Sequence, residues 1–115
     1  MAAIAVPLSE IAEEAARLHR ALRLHLQRRL AVYADHPASA TDADLLVKDI
    51  ADLLDRHGLR VRCPRCHHPA VLRTQTRSGR RRFVFDHTIE GRRTFHAGGD
   101  RLPPLHLTAK PGRQG

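Results

Sequence analysis

The chain has 115 residues and a mass of 12.9 kDa, which fits one small domain and excludes a large multidomain enzyme. Its hydrophobic content of 42% predicts a folded protein, although the aromatic content of 3% leaves the core to aliphatic side chains. The formal net charge of +8 points to an anionic partner.

The first predicted element is a long amphipathic helix. Apolar residues recur every three or four positions between Leu8 and Tyr33, which is the spacing of one helix face. Ser9 is expected to cap this helix and Pro37 to stop it.

A second helix is expected between a capping Thr41 and Gly58, which can take the left-handed conformation that ends helices. The short link between the two helices predicts an antiparallel helical hairpin over residues 1–58. Its apolar stripe needs a partner: the second half of the chain, a second copy in a homodimer, or a larger protein.

The second half predicts a small antiparallel sheet, so the fold class is α+β. Turns are expected at Ser78 with Gly79 and at Glu90 with Gly91. We assign residues 59–109 to a small basic β-meander and residues 110–115 to a flexible tail. The predicted strands cover residues 59–63, 70–76, 80–87 and 92–96.

A Cys-x-x-Cys pair follows the first predicted strand. Such a turn brings two thiolates to one ion, so Cys63 and Cys66 supply half of a tetrahedral zinc site. If both turns contain two residues, the strand register places His87 and His96 diagonally on one face of the sheet, at the end near the cysteines. The predicted ligands for Zn²⁺ are Cys63, Cys66, His87 and His96.

Other interpretations of these residues stay open. His67 or His68 could replace His87 or His96 as a ligand, and the cysteines could form a dithiol redox couple or be inert. The overall plan is similar to zinc-ribbon proteins, with histidines in place of the second cysteine pair.

A short stretch resembles the opening of an HNH nuclease. The resemblance is carried by Asp86 with His87, by the Gly-Gly-Asp at residues 98–100, and by the preceding cysteine pair. It implies a histidine that activates water against a metal-bound phosphate. However, the chain contains no Asn, lacks a second cysteine pair, and has two prolines, Pro103 and Pro104, where a metal-bearing helix should begin. No other catalytic motif occurs, so a nuclease is the minor alternative.

The excess of positive charge lies in the second half of the chain. Residues 1–59 contain seven basic and nine acidic side chains, whereas residues 60–115 contain thirteen basic and three acidic ones. The planar guanidinium group of arginine can donate two parallel hydrogen bonds to one phosphate. We therefore expect a zinc-stabilised nucleic-acid-binding protein, a regulator or accessory subunit, with DNA and RNA both open as partners. The expected contacts are Arg77, Arg80, Arg81, Arg82, Arg92 and Arg93.

The alternative function is a protein-interaction adaptor. In that case the helical hairpin docks or dimerises, and zinc is purely structural.

The start of the chain lacks the basic and apolar regions of a secretory signal, and no apolar run reaches membrane-spanning length. We therefore expect a cytoplasmic protein without membrane contact and see no sign of a small-molecule substrate.

Overall fold

The computed structural model describes residues 7–112 and has an α+β fold. Its described residues form two α-helices and one five-stranded antiparallel sheet with the strand order β4-β3-β2-β1-β5. None of these helices is long and apolar enough to cross a membrane. The elements are α1 (Leu8–Leu30), a 3₁₀ helix (Ala31–Tyr33), α2 (Ala43–Arg56), β1 (Leu59–Arg62), β2 (Pro69–Arg77), β3 (Arg80–Ile89), β4 (Arg92–Gly99) and β5 (Leu107–Ala109).

Both helices start differently from the prediction. Ser9 lies inside α1, which is preceded by Pro7 with its φ of −59° already close to helical. Thr41 does not cap α2 either, because the residue that precedes this helix is Asp42. The carboxylate of Asp42 accepts a hydrogen bond from Nε2 of His36 at 2.9 Å and makes no cap. The predicted caps Ser9 and Thr41 are therefore wrong.

The C-terminal ends of the helices agree better with the prediction than their starts do. Gly58 has a φ of +68° just after α2, so its predicted left-handed conformation is confirmed. The α-helical part of α1 ends at Leu30, and the 3₁₀ helix completes the segment before Pro37.

The antiparallel helical hairpin is not confirmed. α2 packs on β1 and β2, whereas the second half of α1 contacts β5. In that contact Arg23 donates to the carbonyl oxygen of Leu107 at 3.3 Å, and the N–H of Leu107 donates to Gln27 at 2.9 Å.

The link between the helices is tied to the segment after β4. Ala38 N–H donates to the carbonyl oxygen of Asp100 at 2.8 Å, and Leu102 N–H donates to that of His36 at 2.9 Å. Ala38 and Leu102 are both buried as a result. The connection is therefore held by contacts that are distant in sequence.

Two tight turns set the register of the sheet. All four residues of the turns at Ser78 with Gly79 and Glu90 with Gly91 have φ between 51° and 77°, as type I′ hairpins require. Phe85 consequently lies opposite Leu72 on β2 and His96 on β4. Both predicted turns and both predicted registers are confirmed.

The fifth strand was not predicted. Leu107 pairs with Val61 and Ala109 with Leu59, so β5 covers the free edge of β1. The chain continues as far as a hydrogen bond from Lys110 N–H to the carbonyl oxygen of Gly58 at 2.9 Å. Residues 113–115 of the predicted tail lie outside the described residues.

The core lies between α2 and one face of the sheet, which we call the inner face. Alternate residues of each strand point to this face and are mostly buried. Val47, Ile50 and Leu54 of α2 pack against them, so the core contains residues from both sides of Gly58. The buried inner-face residues are Leu59, Val61, Ala70, Leu72, Phe83, Phe85 and Leu107.

We predict that Gly98→Ala destabilises the fold. A Cβ at Gly98 would lie 2.8 Å from Cε2 of Phe85, whose ring is 1% exposed and cannot move aside. Overpacking of this kind lowers the free energy of unfolding by about 1–3 kcal/mol, measurable by chemical denaturation. Gly112→Ala is the control, since it has open space around it. Equal stability of the two variants would contradict the close packing of Gly98.

Candidate metal centre

The structure brings the four predicted ligands together. One ligand atom from each of Cys63, Cys66, His87 and His96 lies within 4.8 Å of all the others. Cys66 Sγ is 3.0 Å from Nε2 of His87, and Cys63 Sγ is 3.4 Å from Nδ1 of His96. Two thiols and two imidazoles at this spacing can hold a metal ion.

The two thiols are positioned by a tight turn at the end of β1. His67 N–H donates to the carbonyl oxygen of Cys63 at 2.8 Å, and Cys63 N–H donates to that of His68 at 2.9 Å. His67 takes a φ of +65°, and the chain reverses within a few residues, with Cys66 close to Cys63. The hydrogen-bonded turn thus brings the two sulfur atoms together.

The two imidazoles come from neighbouring strands. His87 lies on β3 and His96 on β4, both on the inner face, with ring centroids 4.8 Å apart. Nδ1 of His87 is 2.7 Å from the carbonyl oxygen of Thr94. A carbonyl oxygen only accepts, so Nδ1 carries the proton and Nε2 directs its lone pair toward Cys66.

The surroundings favour the neutral form of two of the ligands, His96 and Cys66. Burial, followed by the neighbouring His87, holds the pKa of His96 below its usual value, which leaves the imidazole free to bind a metal. Burial, together with the Cys63 thiol, raises the pKa of the Cys66 thiol. A divalent cation is the group that would offset this and stabilise the thiolates.

The alternative ligands lie outside this cluster. His67 and His68 are exposed residues of the turn, and the cluster is made without either of them. The ring of His68 meets that of His87 edge to face, with centroids 6.3 Å apart. His68 therefore lies beside the four ligands and is not one of them.

A second feature is an arginine-rich sheet surface opposite the core, which we call the outer face. The residues that alternate with the inner-face positions point to it, and most of them are exposed. Val84 is buried in the middle of this face and lies outside the core cluster. The strand register assigns Arg60, Arg62, Arg73, Arg77, Arg80, Arg82 and Arg93 to the outer face.

The register divides the six arginines expected to bind nucleic acid. Arg81 and Arg92 occupy inner-face positions, and Arg81 is held by hydrogen bonds to Asp44 and Thr74. The other four, Arg77, Arg80, Arg82 and Arg93, share the outer face.

Three further arginines join them from β1 and β2. Arg60, Arg62 and Arg73 were not among the six predicted contacts. Their strict alternation with core residues was the signal that pointed to this face.

One carboxylate organises part of the outer face. Asp86 is 8% exposed and accepts hydrogen bonds from Arg73 at 2.7 Å and from Arg93 at 2.8 and 3.1 Å. These guanidinium groups, Arg93 above all, hold the pKa of Asp86 below its usual range. Arg93 also lies over the ring of Phe95, 5.0 Å from its centroid. Asp86 is the single acidic strand residue on this face, and Arg60 is paired with Asp55 of α2 at 2.8 Å. The other arginines still leave an excess of positive charge.

The structure gives no support to the nuclease resemblance. Between β4 and residue 112 the chain contains no helix, and Pro103 and Pro104 lie in an irregular segment that leads into β5. His87 directs Nε2 at a cysteine sulfur and belongs to the ligand cluster.

No protein-family model, curated protein or solved structure matches this chain. Its function is therefore inferred from the arrangement of its own side chains.

We predict that Cys66→Ser weakens metal binding by at least about 100-fold, because a hydroxyl replaces one of four ligands. Native mass spectrometry of the full chain gives the number and mass of bound ions. Cys66 suits this test better than Cys63, which is 0% exposed and part of the core. His67→Ala and His68→Ala are the controls and should each keep one ion per chain. Loss of the ion from a control, or its retention by Cys66→Ser, would contradict the four-ligand group.

We also predict that His67→Gly stabilises the protein. A side chain at a φ of +65° is strained, and glycine relieves the strain at the cost of a more flexible unfolded chain. The expected net gain in the free energy of unfolding is about 0.5–1 kcal/mol, with metal binding retained. His68→Gly is the matched control, since His68 has no positive φ and should gain nothing. The idea fails if both variants change stability equally.

Proposed function

We propose that this chain is a small zinc-stabilised protein that binds nucleic acid through its outer face, as a regulator or accessory subunit. The observation that carries the proposal is the placement of seven arginines and one acidic strand residue on a single face of the sheet. An anionic polymer is the partner that such a surface suits best.

The geometry of a sheet suits contact with a phosphate backbone. Neighbouring strands are about 5 Å apart and alternate residues along a strand about 7 Å apart, so several guanidinium groups reach one backbone together. Each guanidinium can donate two parallel hydrogen bonds to a phosphate. Backbone contacts of this kind carry no sequence information, so we expect binding without sequence specificity.

Part of the outer face is free to bind. Arg62, Arg77 and Arg80 are exposed, and their guanidinium groups have no hydrogen-bond partner within residues 7–112. Arg73 and Arg93 are instead oriented by Asp86 and keep more than half of their side-chain surface exposed. The face thus combines guanidinium groups without a partner in residues 7–112 with pre-positioned ones.

The metal in this proposal is zinc, in a structural role. Two thiolates and two imidazoles form the donor set that tetrahedral structural zinc prefers. With four protein ligands the ion has no open position for substrate or water, so it would support the sheet and take no part in catalysis. The mass of the ion in native spectra tests this assignment, and any metal other than zinc would contradict it.

The state of the cysteines favours the cytoplasm. Both thiols are free, and a reducing compartment keeps them so. The adaptor remains the second candidate function, because α1 exposes apolar side chains such as Leu8 and Leu18.

We predict that Arg62→Ala combined with Arg80→Ala weakens binding to unrelated DNA sequences equally. Removing two phosphate contacts should reduce the slope of log affinity against log salt by about 1.8 for duplex DNA. Fluorescence anisotropy with labelled duplex DNA and single-stranded RNA at several salt concentrations measures this slope. The RNA probe also decides between the two nucleic acids.

The control removes two positive charges elsewhere. Lys48 and Arg56 are exposed on α2, so Lys48→Ala with Arg56→Ala changes the net charge equally and leaves the outer face intact. The control should keep the salt slope of the unchanged protein. An equal loss of affinity in both double variants would contradict the outer face as the binding surface. If the unchanged protein binds neither probe, the adaptor function is favoured.

A further inference from the structure

Phe95 lies on the outer face of the sheet, apart from the core. Phe83 and Phe85 occupy inner-face positions and are 0% and 1% exposed, whereas Phe95 is 41% exposed. Its partner on β3 is Asp86, and β4 is the outermost of the described strands, so the ring is accessible from the edge of the sheet. One of the three phenylalanines of the chain is therefore placed among the arginines.

The guanidinium group of Arg93 shows how this ring is oriented. Arg93 precedes Phe95 by two positions and therefore shares its face of β4. Its Cζ lies over the ring, 5.0 Å from the centroid, and its hydrogen bonds to Asp86 hold it there. One flat side of the ring consequently faces back along the strand toward Arg93, and the opposite side faces forward toward Ala97.

The side of the ring toward Ala97 is open. Ala97 carries only a methyl group, Gly98 and Gly99 follow it, and both Ala97 and Gly99 are exposed. Alternate residues along a strand are about 7 Å apart, which leaves room for a second flat ring, since the centroids of stacked rings are about 4.5–7 Å apart. Single exposed apolar side chains are common on protein surfaces. Phe95 differs from them because its ring has a fixed cation on one side and open space on the other.

Positive charge also lies beyond the open side of the ring. Arg82 and Arg80 are the outer-face residues of β3 that lie beyond Ala97 in the strand register. Arg82 donates to Oε1 of Gln75 at 2.8 and 3.1 Å, which orients its guanidinium group, and Arg80 is exposed. A flat ring stacked on Phe95 would therefore have arginines on both sides of it along the sheet.

This arrangement matches a nucleic acid with unpaired bases. In a duplex the faces of each base are covered by its neighbours, whereas a single strand can place a base on an aromatic side chain while arginines contact its phosphates. We propose that the outer face binds single-stranded nucleic acid and that one unpaired base stacks on the open side of Phe95. This stacking site presupposes the nucleic-acid binding proposed above and adds that the partner is single-stranded.

Removal of the ring tests the stacking contact by fluorescence anisotropy. Phe95→Ala should weaken binding to labelled oligodeoxythymidine and oligouridine of about 12 nucleotides by at least about fivefold, because one stacked base is lost. Its affinity for duplex DNA and its salt slope should stay unchanged, because no phosphate contact is removed. Phe95→Tyr keeps an aromatic ring and should keep the affinity. Tyr33→Ala is the matched control, since Tyr33 is 39% exposed and lies outside the sheet. The two oligonucleotides decide between DNA and RNA.

Intrinsic fluorescence locates the base. The chain contains no Trp, so Phe95→Trp introduces a single indole at the proposed contact. An unlabelled oligonucleotide should quench the emission of this variant on binding, because a base stacks on the indole. Tyr33→Trp places the indole away from the outer face, and its emission should not change.

Two kinds of failure are distinguishable. If Phe95→Ala weakens single-strand binding no more than duplex binding, or if the emission of Phe95→Trp stays unchanged on binding, the stacking site is wrong and the arginine contacts with phosphate still stand. If the unchanged protein binds neither single strands nor duplex, nucleic-acid binding itself is wrong.

Discussion

The alternation of side chains across the β2-β3-β4 sheet is the constraint on which the molecule depends. Two type I′ turns lock the register, and this register decides at each position whether a side chain faces the core or the solvent. Asp86 and His87 show the result, since adjacent residues serve opposite faces. His87 joins the thiols on the inner face, while Asp86 orients Arg73 and Arg93 on the outer face. A slip of one residue would exchange the two sets and abolish both.

A metal ion held by the four-ligand group would compensate for the small aromatic content of the core. Three phenylalanines and one tyrosine are the whole aromatic content of the chain, and Phe95 and Tyr33 are 41% and 39% exposed. The cluster joins the turn after β1 to β3 and β4, which are separated from it in the sheet by β2. An ion there would tie strands that do not pair directly. Small domains with thin cores commonly obtain their stability in this way.

The sequence predicted those features that rest on local rules. Two-residue turns fix partner positions by simple counting, so the pairing of Phe85 with His96 followed from the turn at Glu90 and Gly91. Features that depend on distant contacts were missed. The strand β5 is three residues long and pairs with the edge of β1. Thr41 is not a cap because Asp42 is the residue that directly precedes α2, and the carboxylate of Asp42 bonds to His36. Predicting which arginines lie on which face of the sheet would have required the register of all the strands together.

The outermost strand β4 has a further consequence for the behaviour of the protein in concentrated solution. An edge strand of eight residues exposes unpaired backbone groups that can recruit the edge of another molecule into a continuous sheet. Here the strand begins with two adjacent positive residues, Arg92 and Arg93. Near its end Gly98 forms a bulge, where the pairing of β4 with β3 shifts by one residue. Charge repels an approaching edge, and the bulge bends the strand out of the flat geometry that stacking requires. Both features oppose the growth of this open sheet into fibrils.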